Sequence, residues 1–309
     1  MKNPKVTFHF SLEVNAVYAL EMTLQAHAIK MEIQNLPIFF DRAFLQRCRE
    51  ELSLGGFFWH LRSLTAAENL DVGLKKWVES EIHPLLEEGV KRYEQHWREI
   101  VHTLKENATP LVEEWNEYGQ KILQGINFVS RFPWVHEEIK VFFLEPICDG
   151  HGDAFLEEGV VTFEAVEKIR QKPKKALLGL IHEIAHLNTA KIIDQLDIRR
   201  KVLAEVVNDF VAHQSLVTAG VMPALDSERL HRIFTHTINQ WMTESEESFT
   251  YDPQKLRQLV EEWWSEHLES NVVLNDSINK LFRKALPIMR TIKKPSFKPN
   301  PPHFLPKIP

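Results

Sequence analysis

Cysteine is scarce in this chain: two in 309 residues, Cys48 and Cys148. Two thiols cannot staple a fold of this size, which excludes the disulfide-rich secreted scaffolds and fits a reducing compartment. Glycine is thin too, at 11, beside 16 prolines, so collagen-like and low-complexity classes are out. No apolar run approaches the ~20 residues that a membrane helix needs; Ala176–Ile181, interrupted by Gly179, is typical of the longest. Positive charge is not in surplus, with a formal net charge of −6 and a pI of about 6.2. Phosphate binding needs a concentrated basic face, so neither nucleic acid nor membrane is an expected partner. The opening Met1-Lys2-Asn3-Pro4-Lys5, followed by Glu13 and Glu21, holds no secretory apolar segment, and a cytoplasmic location is the expectation. What remains is 44% hydrophobic and 26% charged, the make-up of a soluble globular protein of one large or two moderate domains.

The sparse breakers make the organisation readable. From Phe8 to about Gly125 the pattern is helical, with Leu85, Tyr93, Trp97, Ile100, Val101 and Leu104 at helical spacing. Thr65 with Glu68 forms a capping-box pair, Leu74, Trp77 and Val78 continue the pattern, and Thr109-Pro110 predicts an N-cap and first helical position. Near Pro133 the texture changes. Val141–Leu144, Ala154–Leu156 and Val160–Phe163 read as strands, with turn clusters at Asp149–Gly152 and Glu157–Gly159. They predict a small antiparallel sheet. Helical patterning then runs from about Lys174 to Ala219, stopped by Gly220 and Pro223, and returns at about Ser227–Thr243, Pro253–Glu269 and Asp276–Leu286. Seven of the prolines lie between Pro287 and Pro309, which predicts an extended Pro/Lys-rich arm. The expected class is mainly α with a small antiparallel sheet, divided at about 1–135, 136–192, 193–290 and 291–309.

The residues that carry chemistry are His182-Glu183-Ile184-Ala185-His186. Histidines four apart on a helix stand about 40° apart and one turn along, so both imidazoles reach one metal ion. Glu183 projects from a neighbouring position, near enough to an activated water to take its proton. A divalent ion lowers the water pKa toward 7 and polarises a scissile carbonyl. Chance alone supplies roughly 0.08 such pentapeptides in a chain of this composition, so the surroundings must add weight. They do: Leu180, Ile181, Ile184, Ala185 and Leu187 are uncharged, as on a helix buried beneath a site.

A third ligand is available in Glu205, with Asp209 one turn later. Glu205 completes a His₂Glu set for one Zn²⁺ per chain, and Asp209 can hold the outer ring N–H of a ligating histidine. A straight helix would separate His186 from Glu205 by about 28 Å, so the helix must break and return near Asn188–Asp197, with Asp194 as cap and Asp197 at its N3 position.

With these five residues the sequence resembles the gluzincin metallopeptidases, the thermolysin-like clan. Their pattern is HExxH, then a glutamate ligand on a second helix, often with an aspartate four residues after it. His182, Glu183, His186, Glu205 and Asp209 fall on that pattern, and the resemblance covers about residues 142–219. It implies a zincin-like core, hydrolysis of a peptide or protein substrate with Glu183 as general base, and an edge strand, Ala154–Leu156 or Val160–Phe163, beside the cleft. His151, between two glycines, is either a residue reaching into such a cleft or a solvated turn histidine. The aminopeptidase signature Gly-x-Met-Glu-Asn is missing, so specificity does not carry over. Amide cleavage also needs a donor to the oxyanion; His213, His231, His236 and Tyr251 are the candidates, and no spacing selects among them. Cys148 is the lesser choice as a thiolate ligand. Two other readings stand beside this one: a non-catalytic zinc-binding protein, and a helical scaffold or interaction module.

Overall fold

The computed structural model describes residues 2–28, 40–51, 59–65, 84–148, 152–189, 197–244 and 248–292. The Thr65/Glu68 pair, the Leu74–Val78 pattern, His151 with its turn, Asp194 and the arm beyond Ile292 fall wholly or partly outside those residues. The chain divides into two compact units, each discontinuous in sequence: residues 5–113 with 138–176, and residues 1–4, 114–137 and 177–309. Among the described residues no helix is long and apolar enough to cross a membrane.

The first unit is built on a four-stranded sheet. Its strands are β1 (Lys5–His9), β2 (Glu138–Leu144), β3 (Gly152–Phe155) and β4 (Val160–Glu164), in the order β1-β2-β4-β3. Here the expectation of an antiparallel sheet needs correction. Only the β3–β4 hairpin is antiparallel, while β1, β2 and β4 run parallel. The missed strand is β1, where Val6, Phe8 and Phe10 alternate with Thr7 and His9, a period of two. Phe8 and Phe10 stack on Phe143 at 5.6 and 5.2 Å. Of the two proposed edge strands only β3 is an edge; β4 is interior, and all five of its residues are buried.

Helix α1 (Leu12–Ala28) departs from the amphipathic pattern expected of the N-terminal half. Val14, Val17, Tyr18, Leu20 and Met22 are all buried, which spreads burial around the helix. Its polar residues find partners on the sheet. Asn15 donates to the Phe143 carbonyl at 3.0 Å and accepts from the Glu145 amide at 2.7 Å. Tyr18 donates to the buried Glu164 carboxylate at 2.6 Å. Helices α2 (Arg42–Glu51) and α3 (Trp59–Thr65) follow, then α4 (Pro84–Ser130), which belongs in part to each unit. Thr109-Pro110 does not start a helix: α4 runs through it, and the Thr109 hydroxyl donates back to the Lys105 carbonyl at 2.8 Å. An interior proline costs about 3 kcal/mol. The buried stripe Leu104, Ala108, Leu111, Trp115 continues across it and outweighs that cost. The short α5 (Lys168–Gln171) closes the unit.

The second unit is helical. It contains α6 (Pro173–Thr189, from Leu177 onward), α7 (Ile198–Thr218), α8 (Ser227–Glu244), α9 (Pro253–Glu269) and α10 (Leu274–Ala285), with the end of α4. Helices α6 and α7 are separate elements, the second opening at Asp197, as the ligand spacing demands. The cap differs from expectation. Asp197 is itself the N-cap of α7, accepting from the amides of Arg199 (3.0 Å) and Arg200 (3.4 Å). At the other end Gly220 takes φ +77, and Val221 bonds back to the Leu216 carbonyl at 2.9 Å, a Schellman closure. Gly125 lets α4 and α7 approach closely, since a Cβ there would lie 2.8 Å from Ser215 Cα. The residue after α4, Arg131 (φ 56), donates to the carbonyls of His267 (3.2 Å), Ser270 and Val272 (2.9 Å) and so closes the end of α9. Trp263 on α9 donates to the Ser277 carbonyl of α10 at 2.8 Å. A further short pair, β5 (Ser248–Thr250) with β6 (Arg290–Ile292), shows that residues just after Pro287 are structured rather than part of an arm.

Candidate metal centre

Helix α6 carries His182, Glu183 and His186; α7 carries Glu205 and Asp209. Because the chain breaks and returns, these two helices bring three ligand atoms together. His182 Nε2 and His186 Nε2 are 3.0 Å apart, and Glu205 Oε2 lies 3.5 Å from the first and 3.3 Å from the second. Among the described residues this is the one group of three or more His, Cys, Asp or Glu side chains close enough to hold a metal ion. Tetrahedral zinc with bonds of about 2.0–2.2 Å spaces its ligand atoms by about 3.3–3.6 Å. Two edges of the triangle lie in that range and the His182–His186 edge, at 3.0 Å, is slightly shorter, so the group is of a size to close around such an ion. Two imidazole nitrogens facing each other at 3.0 Å also cannot both present a proton, whereas a cation satisfies both lone pairs at once.

The partners of these ligands are equally defined. Asp209 Oδ1 takes the Nδ1–H of His182 at 2.7 Å, leaving the Nε2 lone pair toward the triangle. Its other oxygen accepts from the Thr237 hydroxyl on α8. Asn208, 1% exposed, donates from Nδ2 to the His182 carbonyl at 3.0 Å, and its Oδ1 accepts from the Thr189 hydroxyl at 3.1 Å. Sequence reasoning missed Thr237, Asn208 and Thr189. Asn208 adjoins Asp209 and was discoverable from that adjacency; Thr237 lies 28 residues beyond Asp209, with no spacing to mark it.

Charge is unusually concentrated here. Burial pulls the His182 imidazole down, but the adjacent Asp209 carboxylate, with Glu205 and Glu183, outweighs it and holds the imidazolium well above the ordinary 6.5. Burial pushes Glu205 up, and the two imidazoles overcome this and hold it well below the carboxylate range. Asp209 is lowered in the same way, burial opposing and His182 prevailing. Glu183 behaves differently: burial raises its carboxyl group and the imidazoles only partly offset the rise. Two neighbouring carboxylates pushed apart in pKa suit one ligand and one proton acceptor.

Of the four candidate oxyanion donors, His213 contacts this cluster. His213, on α7, donates from Nδ1 to the Asp209 carbonyl at 2.9 Å, so its neutral ring has no proton on Nε2. Burial lowers its pKa and favours that neutral form. His231 bonds Thr235 on its own helix, His236 is exposed, and Tyr251 packs on Phe249 at 5.8 Å. Cys148 is outside the ligand group; it belongs to the sheet unit, where its amide donates to Glu164 at 2.6 Å. No family model, curated protein or solved structure matches this chain.

Proposed function

We propose that the chain is a zinc-dependent peptidase of gluzincin type. The observation that carries the reading is the convergence of His182, His186 and Glu205 at 3.0–3.5 Å, with Asp209 on the outer nitrogen of His182. His182, His186 and Glu205 would hold zinc, which when bound makes water acidic and polarises an amide carbonyl. Asp209 keeps His182 in the tautomer whose Nε2 is a ligand and stabilises positive charge on the ring. Glu183, next to His182 and half-buried with a raised pKa, accepts the proton of the attacking water at a carboxylate oxygen and returns it to the leaving nitrogen. The substrate is an extended peptide or protein segment.

A second reading, zinc binding without turnover, stands beside it, because the group of His182, His186 and Glu205 is sufficient to hold an ion whether or not chemistry follows. Two measurements decide. Elemental analysis should find one zinc per wild-type chain and none in His182→Ala. Glu183→Gln should retain zinc and lose hydrolysis of a quenched-fluorescent peptide library. Full hydrolysis by that variant refutes the gluzincin-type mechanism with Glu183 as proton acceptor, and stoichiometric zinc with no wild-type hydrolysis selects the second reading.

A further inference from the structure

The three ligand atoms are close together although two separate helices carry them, and nothing in the ligands themselves fixes the height of one helix against the other. Side chains of Glu and His can follow a sliding backbone; a hydrogen bond to the backbone cannot. Among the described residues, Asn208 makes such a bond between these helices, its Nδ2 donating at 3.0 Å to the carbonyl of His182, itself a ligand residue. A helical carbonyl points along the axis toward the residue four ahead, so this contact grips α6 near the level of His186. The second contact ties the same amide to a later residue of α6. Thr189 donates to Asn208 Oδ1 at 3.1 Å while its hydroxyl also lies 3.0 Å from the Ala185 carbonyl. On α7, Asn208 stands one turn after Glu205 and immediately before Asp209.

We propose that Asn208, clamped between the His182 carbonyl and the Thr189 hydroxyl, is the positioning residue that sets the spacing of the metal-binding triangle. The inference rests on the zinc reading above and extends it to how the site is held. Asparagine suits the task because one planar amide supplies a donor and an acceptor about 2 Å apart. Two contacts block both sliding and rotation of α7 against α6, where one would leave rotation free. The amide is buried and both of its ends are satisfied, so its position is dictated by the clamp rather than by solvent. Ligand distances tolerate only about ±0.2 Å, so after a slip of about 1 Å the ligand side chains could reach a common ion only in less favourable rotamers, at a cost to affinity.

The test uses the full chain with zinc and with cobalt(II) as a spectroscopic substitute. Asn208→Ala should bind zinc 10–100-fold more weakly than wild type in competition with a chromophoric chelator, the range seen for loss of outer partners of metal ligands. Its cobalt absorption should weaken as water enters a loosened site. Thr189→Val, which keeps the shape and removes the hydroxyl, should shift both readouts in the same direction by less. Circular dichroism of the chelated variants checks folding. A folded Asn208→Ala with wild-type zinc affinity and cobalt spectrum overturns the proposal, because a packing role would lower only thermal stability. If Asn208→Ala fails to fold, Thr189→Val decides alone, and wild-type values there overturn it. A wild-type chain that binds no more zinc than His182→Ala brings down the zinc reading and this inference together.

Discussion

Asp209→Asn removes one charge from the centre and leaves its shape intact. The Asp209 carboxylate holds the His182 Nδ1–H at 2.7 Å and is about four-fifths buried, at 21% side-chain exposure. Loss of a carboxylate from the outer nitrogen of a ligating histidine weakens metal binding by 10–100-fold, or about 1.4–2.7 kcal/mol. At free zinc a thousandfold above the wild-type Kd, linkage gives the wild type about 4.1 kcal/mol of added stability. The variant, at the same zinc, should gain only about 1.4–2.7 kcal/mol. Its zinc-induced rise in Tm should therefore fall short by roughly 2–4 °C for a protein of this size. Chelator competition and thermal scans with and without zinc measure both quantities. A Kd within threefold of wild type would refute the assignment of Asp209 to the site. The chelated protein supplies a sign test. The Asp209 contribution is present above the ordinary 3.8 and lost as pH falls through its lowered value. The His182 contribution is present below 6.5 and lost as pH rises through its raised value. Without metal, the variant should thus be most destabilised between about pH 4 and 6.5, and its deficit should shrink in alkali.

Gly125→Ala sets two effects against each other. Helix propensity favours alanine by about 1 kcal/mol, but the new Cβ would stand 2.8 Å from Ser215 Cα, a backbone atom that cannot swing away. Overpacking of this kind costs about 1–3 kcal/mol, so urea denaturation should show a less stable protein; a gain in stability would disprove the close approach of α4 and α7. Cys148 is a second case. Burial, with the Glu164 carboxylate beside it, pushes its thiol up to about 12 against a smaller opposing effect of Tyr18. At pH 8 the native thiol should alkylate about 10³-fold more slowly than an unperturbed cysteine, by mass spectrometry after iodoacetamide; rapid modification of the folded protein would contradict that environment.

The parts of this molecule that were legible in the sequence are those written in local spacing. His182 and His186 share a helix face by arithmetic, the return of the chain before Glu205 follows from the rise per residue, and Gly220 marks a helix end because only a residue without Cβ takes that φ cheaply. What escaped depends on contacts remote in sequence. The parallel order of the sheet is set by pairings across more than a hundred residues for β1 and β2, and no turn signal announces them. Pro110 was misjudged because local propensity yields to a buried stripe that continues beyond it. Thr237 was invisible since a hydroxyl reaching Asp209 from another helix has no periodicity. The cap on α7 was misplaced by three residues, as Asp194 and Asp197 have equal capping chemistry and only the backbone decides which one serves.

The first strand has a consequence for how the protein is made. Lys5 pairs with Glu138 and His9 with Phe142, so during synthesis this strand lacks its partner until β2 has left the ribosome. At 5–20 residues per second that delay is about 7–27 s. During it Phe8 and Phe10 lack the Phe143 ring on which they later stack, and they are a natural landing place for chaperones that recognise short apolar stretches. Ribosome-stalled chains ending before β2 should leave this stretch open to protease, and chains extended past β4 should protect it.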